Sequence, residues 1–239
     1  MNKKVVYTAI FGDYDYLEKP KYVLDGFDFI CFTDSDIKSD FWDVRKVLPL
    51  YSDPTRNARK YKILAHRYLS QYDISIWTDG NQHIVGDYNK LIKSHMSDVN
   101  LACYDHNQCR LDPRDCVYDE AGYILWAGNR NLNLAPSKGL LAYKDNPDII
   151  SKQINKYQNE GYPKRNGLIV SGVILRRHNE KDVVQTMEKW WEELKYGSKR
   201  DQLSFDYSAW RTGLKFNYLH GDIRDDGYTL EVRHKKIKK

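Results

Sequence analysis

Tyr72-Asp73-Ile74-Ser75-Ile76-Trp77-Thr78-Asp79-Gly80-Asn81 is an apolar run that stops at an acidic turn. Residues 73–78 read as a buried strand, with Asp79-Gly80-Asn81 as the loop at its C-terminal end. In open α/β sheets, ligands bind outside the C-terminal ends of the strands. An acidic loop there stands where a ligand would arrive. Asp79 and the side-chain oxygen of Asn81, one residue apart across a glycine, could both face a hard cation such as Mg²⁺ or Mn²⁺, which takes oxygen ligands. Asp-Gly-Asn is also ordinary turn composition, and the segment alone does not choose between the two.

The stretch before it adds charge. Ser52-Asp53-Pro54-Thr55 carries a helix-start signal, Asp or Ser ahead of Pro. From Thr55 to Gln71, Ala58, Tyr61, Leu64, Ala65, Tyr68 and Leu69 recur three and four apart, so one helix with one buried face is expected. Arg56, Arg59 and Lys62 repeat every three residues on its first turns. They are placed to reach the same sheet edge and pair with phosphate oxygens, or to form a solvated basic face.

Further strands are expected at residues 4–10, 27–33, 43–48, 99–104, 168–175 and 214–219, with helices at 87–97, 180–195 and from Asp201 to Arg211. Residues 105–145 have poor periodicity and many Asn, Asp, Gly and Pro, so they read as long loops and short helices covering a site. Strands that are continuously apolar and alternate with helices imply an α/β fold: a mainly parallel sheet with helices on both faces. With 239 residues and no linker or repeat, one domain over residues 1–232 is expected, followed by a basic tail, 233–239.

The bulk numbers exclude several classes. No apolar run approaches the roughly 20 residues of a membrane span. The opening MNKKVVYTAIFGDYD reads as a first strand and not as a signal peptide, so a cytoplasmic protein is expected. Net charge is +5, and the tail Arg233-His234-Lys235-Lys236-Ile237-Lys238-Lys239 holds five of the Lys and Arg residues. The remainder is near neutral and shows no nucleic-acid motif. The tail is either a solvated end or a peripheral contact with an anionic membrane face. Cys103, His106, Cys109 and Cys116 match no common zinc spacing, so reduced thiols are the simpler reading. The 19 Tyr and 6 Trp suit stacking on sugars and bases as well as core packing.

These segments resemble known families. Glycosyltransferases of the GT-A type place an Asp-x-Asp motif after a strand, often with a basic residue on the preceding helix. In the retaining lipopolysaccharide galactosyltransferase-like family a helix Arg precedes the motif by the interval from Lys62 to Asp79. Val170-Ser171-Gly172-Val173, Asp201-Gln202 and Leu219-His220-Gly221-Asp222 are similar to later motifs of that family, the last holding a metal-binding His. A closer resemblance is to a glycosyltransferase-like family formerly listed as a domain of unknown function, found in plants and in bacterial polysaccharide loci. Its hallmarks are similar to Tyr7-Thr8-Ala9-Ile10-Phe11-Gly12-Asp13-Tyr14-Asp15, Cys31-Phe32-Thr33-Asp34, Asp53-Pro54-Thr55-Arg56-Asn57-Ala58-Arg59-Lys60-Tyr61-Lys62, Trp77-Thr78-Asp79-Gly80-Asn81 and Arg200-Asp201-Gln202-Leu203-Ser204-Phe205. The departure is Asn81, where the second acidic residue of Asp-x-Asp would stand.

The resemblance implies a single GT-A domain that transfers a sugar from a nucleotide-diphosphate donor to a glycan or lipid-linked glycan, in the biosynthesis of a surface polysaccharide such as lipopolysaccharide or capsule. Thr8, Ala9, Phe11, Gly12, Asp13, Tyr14, Thr33 and Asp34 would hold the nucleoside, with Tyr14 or Phe11 stacked on the base. Arg56, Arg59 and Lys62 would hold the diphosphate beside Trp77, Asp79, Gly80 and Asn81. A Mn²⁺ or Mg²⁺ ion would sit at Asp79, Asn81 and His220, and Ser171 and Gly172 would border the donor sugar. Asp201 is the candidate reacting carboxylate, as base in an inverting enzyme; in a retaining one, Asp201 or Gln202 would support the oxocarbenium-like centre. Glu192, Glu193 and Asp119-Glu120 are rival bases. His106, Arg110 and Glu120 mark the expected acceptor side. Two other readings stand beside this one: a sugar nucleotidyltransferase, which Phe11-Gly12-Asp13-Tyr14 does not favour, and a non-catalytic glycan-binding domain.

Overall fold

A computed structural model describes residues 3–12 and 14–234. Asp13 and tail residues 235–239 lie outside the described residues. The core is a seven-stranded sheet in the order β3-β2-β1-β4-β7-β6-β8. Its strands are β1 (Lys4–Ile10), β2 (Phe27–Thr33), β3 (Asp43–Lys46), β4 (Ile74–Thr78), β6 (Leu101–Asp105), β7 (Ile169–Arg176) and β8 (Asn217–Leu219). Only β7 runs against the rest, antiparallel to both β4 and β6. The expected mainly parallel α/β sheet is therefore what forms. A two-stranded ribbon of β5 (Gln82–Ile84) and β9 (Thr229–Glu231) stands apart from it.

The alternating side chains of β1 show why the sheet is covered twice. Val5, Tyr7 and Ala9 face a cluster with α1 (Pro54–Ile63), α6 (Lys181–Tyr196) and α7 (Phe205–Thr212), through Tyr61, Trp190 and Phe205 among others. Val6 and Ile10 face the other side, where Tyr88 and Leu91 of α3 (Tyr88–His95) join Trp42 and Ile76. A third cluster gathers α4 (Val117–Leu134), α5 (Pro147–Asn159) and α7 around Ile124, Ile150, Tyr157 and Tyr207.

Two expectations change in detail. The single helix expected over 55–71 is broken at Leu64 into α1 and the one-turn α2 (Ala65–Tyr68). At the break the carbonyl of Lys62 accepts from the Tyr7 hydroxyl at 2.7 Å and from the buried Arg176 guanidinium, so tertiary donors replace the next helical turn. The loops expected over 105–145 contain the 18-residue α4. Its buried stripe is Val117, Ala121, Ile124 and Gly128, which is helically spaced but made partly of small residues. Gly128 is obligatory there, because a Cβ would stand 2.0 Å from the Tyr143 ring that lies across the helix.

Candidate active site

α1 begins with Asp53 as N-cap, its carboxylate accepting from the Thr55 amide at 2.8 Å, and with Pro54 in the first turn. That start and the anchored end at Lys62 aim Arg59 and Lys62 at the C-terminal end of β4. There Oδ1 of Asp79 meets three donors: Arg59 Nη1 and Lys62 Nζ, each at 3.2 Å, and Trp77 Nε1 at 2.7 Å. Oδ2 of Asp201 accepts from the Ser171 hydroxyl at 3.0 Å and forms ion pairs with Lys62 Nζ at 2.6 Å and Arg59 Nε at 3.0 Å. Lys62 also donates to Ser171 Oγ at 3.1 Å. The two cations thus bridge the two carboxylates.

Lys62 has no exposed surface and Asp201 is 2% exposed. Burial pushes the Asp201 carboxyl up, but Arg59 and then Lys62 outweigh it and hold it well below the usual carboxylate range. Burial lowers the Lys62 ammonium, and the adjacent Arg59 charge lowers it further, against the pull of Asp201 and Asp79. Burial acts to lower Arg59 too, yet Asp201 and Asp79 together raise it.

Arg59, Asp79 and Asp201 form the floor of a cleft of about 830 Å³, with Lys62 buried behind them and outside the lining; that volume is within the usual range for a small-molecule site. Of the residues expected at the donor, Ala9, Phe11, Tyr14, Arg59, Trp77, Asp79, Gly80, Asn81, Ser171 and Gly172 line it, together with Asp201 and Gln202. Tyr14 is half exposed, with its ring edge-on to His234, whereas Phe11 is buried and stacked on Tyr61, so of these two rings Tyr14 is the one that reaches the cleft surface. Gly172 faces the cleft, but the place of its missing Cβ is taken by Ile223, 2.9 Å away.

Other expected residues lie elsewhere. Arg56 turns to the C-terminal end of α6, donating to the carbonyls of Leu194 and, at 2.8 Å, Gly197. Thr8 and Thr33 are buried, and Asp34 accepts from the Gly12 amide at 3.1 Å, closing the loop after β1 instead of lining the cleft. Arg110 bonds the carbonyl of Asp225, whereas His106 and Glu120 are joined through Arg114, 3.4 Å and 2.8 Å from them. Glu120 reaches the cleft wall through Arg200, 3.8 Å away. Glu193 is bound to Lys156 and Tyr157, and Glu192 to Lys189, outside the cleft lining.

The donor set fits a divalent ion poorly. His220 packs edge-on against His95 at the end of β8, three strand positions from β4, about 14 Å at the usual spacing. Asp79 is held by two cations. Among the described residues, no group of three His, Cys, Asp or Glu could hold a metal, and all four cysteines are free and buried.

Residues 33–220 match the model of the family described as TOD1/MUCI70, glycosyltransferase-like domain. The chain belongs to that family. The TOD1/MUCI70 domain has here a mixed α/β fold, with a single reversed strand, β7, in the sheet. Two solved structures are similar at low identity. One is the apo structure of WbbM, a bifunctional glycosyltransferase: 9% identity and TM-score 0.45, over 92% of this chain and 38% of that one. The other is the mannosyltransferase Ktr4p from S. cerevisiae: 10% identity and TM-score 0.45, over 87% of this chain and 65% of that one. This chain therefore spans less than two thirds of the length of either. No curated protein sequence matches it.

The TOD1/MUCI70 cleft also holds residues that sequence reasoning missed. Lys144, Lys199, Arg200, Asp15 and His234 all line it. Arg200 was visible, directly beside Asp201. His234 looked like part of a solvated tail, but its Nδ1 lies 2.8 Å from Asp15 Oδ2 and its ring meets Tyr14 at 4.9 Å. The chain just before it is tied down at Asn81: the Val232 N–H donates to the Asn81 carbonyl at 2.9 Å, and the Asn81 side-chain Nδ2 donates to the Val232 carbonyl at 3.2 Å. Among the described residues, no helix is long and apolar enough to cross a membrane.

Proposed function

We propose that this TOD1/MUCI70 domain is a glycosyltransferase that moves a sugar from a nucleotide-diphosphate donor to a glycan or lipid-linked glycan, in surface-polysaccharide biosynthesis. The observation that carries the reading is the Arg59–Lys62–Asp79–Asp201 group at the floor of a nucleotide-sugar-sized cleft, at the C-terminal ends of β1 and β4. Fixed charges at such a place stabilise the charge that develops when a diphosphate leaves a sugar.

The electrostatics favour one role for Asp201. A carboxylate held far below its usual range is a weak base. It stays ionised, which suits an anion facing an oxocarbenium-like centre better than a group that accepts the acceptor proton. Tyr14, half exposed at the cleft edge beside His234, is the side chain for the base. Arg59, Lys62 and Trp77 already occupy Oδ1 of Asp79, which leaves a Mn²⁺ or Mg²⁺ ion only Oδ2 of that residue, so no step is routed through a metal. The engagement of Asp79 Oδ1 by the protein's own cations also favours a second reading, a glycan-binding domain without turnover.

Calorimetric titration with nucleoside diphosphates and their sugars, with and without Mn²⁺, separates these readings on wild type and Asp79→Ala. Tight binding of one nucleotide supports the transferase, and Mn²⁺ dependence lost in Asp79→Ala would assign the metal. A folded protein that binds glycans and no nucleotide contradicts it.

A further inference from the structure

Arg59 and Lys62 bring two positive charges to the cleft floor, and Asp79 and Asp201 bring two negative ones within 3.2 Å. Those four formal charges balance, so Arg59 and Lys62 serve a diphosphate only in competition with their own carboxylates, and a further cation would add to the anion's binding. Another part of the wall differs. The Asp145 carboxylate accepts from the Ser198 hydroxyl and the Lys199 amide, each at 2.7 Å, which pins Lys144 beside Lys199 and Arg200. Lys199 is answered by Asp53 at 2.8 Å. Lys144 has no ion pair or hydrogen bond among the described residues.

Arg200 is under-bonded. Its Nη2 lies 3.8 Å from Glu120 and 3.5 Å from the Gln202 amide oxygen, and its buried Nε has no acceptor among the described residues. Glu120 is already engaged at 2.8 Å by Arg114. Lys144 faces the cleft with an exposed side chain, yet partial withdrawal from water lowers its ammonium, and the Arg200 charge lowers it further against the pull of Glu120. Two neighbouring cations that repel, one unpaired and one with a buried donor unmet, form a receptor for an anion. A guanidinium fork beside an ammonium suits a phosphate or a carboxylate.

We propose that Lys144 and Arg200 form an anion subsite of the cleft, distinct from the Arg59–Lys62–Asp79–Asp201 group, which takes a phosphate or carboxylate of the substrate. The subsite follows from these cations alone. That a sugar donor or acceptor supplies the anion rests on the transferase reading. The source is either the donor diphosphate or an acidic sugar of the acceptor.

Calorimetry on the full chain tests it with three probes: inorganic pyrophosphate, a panel of nucleoside diphosphates, and a uronate oligosaccharide. Lys144→Ala and Arg200→Gln should each weaken the bound anion about tenfold or more, as loss of a charge-assisted bond does, and Lys144→Arg should retain it. Parallel loss of pyrophosphate and nucleotide assigns the subsite to the donor. Loss of the uronate alone, with nucleotide unchanged, assigns it to the acceptor. Unchanged affinity of every probe in both variants, or no binding of any probe to wild type, overturns the subsite. The two readings fail separately. Nucleotide binding indifferent to Lys144 and Arg200 retires the subsite and keeps the transferase. Lys144-dependent pyrophosphate binding with no nucleotide recognised does the reverse.

Discussion

Nζ of Lys62, with no exposed surface, lies 2.6 Å from Oδ2 of Asp201, so the last turn of α1 and the start of the segment leading into α7 share one buried charge pair. Removing Lys62 leaves Arg59 as the one cation facing both Asp201 and Asp79, so a carboxylate in low dielectric loses half of its compensation. Lys62→Met should lower unfolding stability by about 3–5 kcal/mol. Lys62→Met combined with Asp201→Leu should recover much of that loss. Urea unfolding of the three chains checks it; equal losses in single and double variants would mean the pair carries no coupling.

Asp201→Asn separates binding from turnover. It removes one of the two negative charges that neutralise Arg59 and Lys62. Nucleoside diphosphate should bind more tightly than to wild type, while sugar transfer falls about 10²-fold or more, the scale of losing one preorganised electrostatic group. Calorimetry and a turnover assay on the same preparation report both quantities. Weaker binding together with full turnover would place Asp201 outside the reaction.

Arg56 and Arg59 sit three residues apart and should behave differently. Arg56 caps the carbonyl end of α6, so Arg56→Ala should cost about 1–3 kcal/mol of stability, the scale of losing charged hydrogen bonds, with nucleotide affinity unchanged. Arg59→Ala should weaken nucleotide binding. Thermal unfolding set beside calorimetry distinguishes the two, and a Kd change in Arg56→Ala would contradict the placement.

Asp206 predicts a pH dependence of stability. Its Oδ2 accepts from the Ile169 amide at 3.1 Å, its Oδ1 is buried with no partner, and burial pushes its pKa up to about 7. The folded state therefore keeps a proton that the unfolded chain has released above about pH 4. The stability this contributes is fully present below pH 4 and is lost as pH rises through about 7. Asp206→Asn should flatten that fall and gain on the order of 2–4 kcal/mol over wild type at pH 8 relative to pH 5. Denaturant midpoints at the two pH values measure it; identical pH profiles would show that Asp206 is ionised in the folded chain.

Much of this was legible because the signals are local. The apolar run into Asp79 and the Asp53-Pro54 helix start each depend on near neighbours, and each forms as read. What escaped depends on partners distant in sequence. The break at Leu64 is enforced by Tyr7 and Arg176. The inward face of α4 reads as small residues because Tyr143 packs against Gly128. Arg56 could not be told from Arg59 without knowing where α6 ends. Lys144 joins the cleft only because Asp145 bonds to residues 198 and 199, and His234 only because Val232 pairs with Asn81.

The most direct test is release of nucleoside diphosphate from a panel of nucleotide sugars, by wild type and Asp201→Asn, with a polysaccharide fragment as acceptor. The account predicts release from one donor by wild type, stimulated by the acceptor and lost in Asp201→Asn. No release from any donor, by a wild-type protein that still binds the glycan, would contradict it.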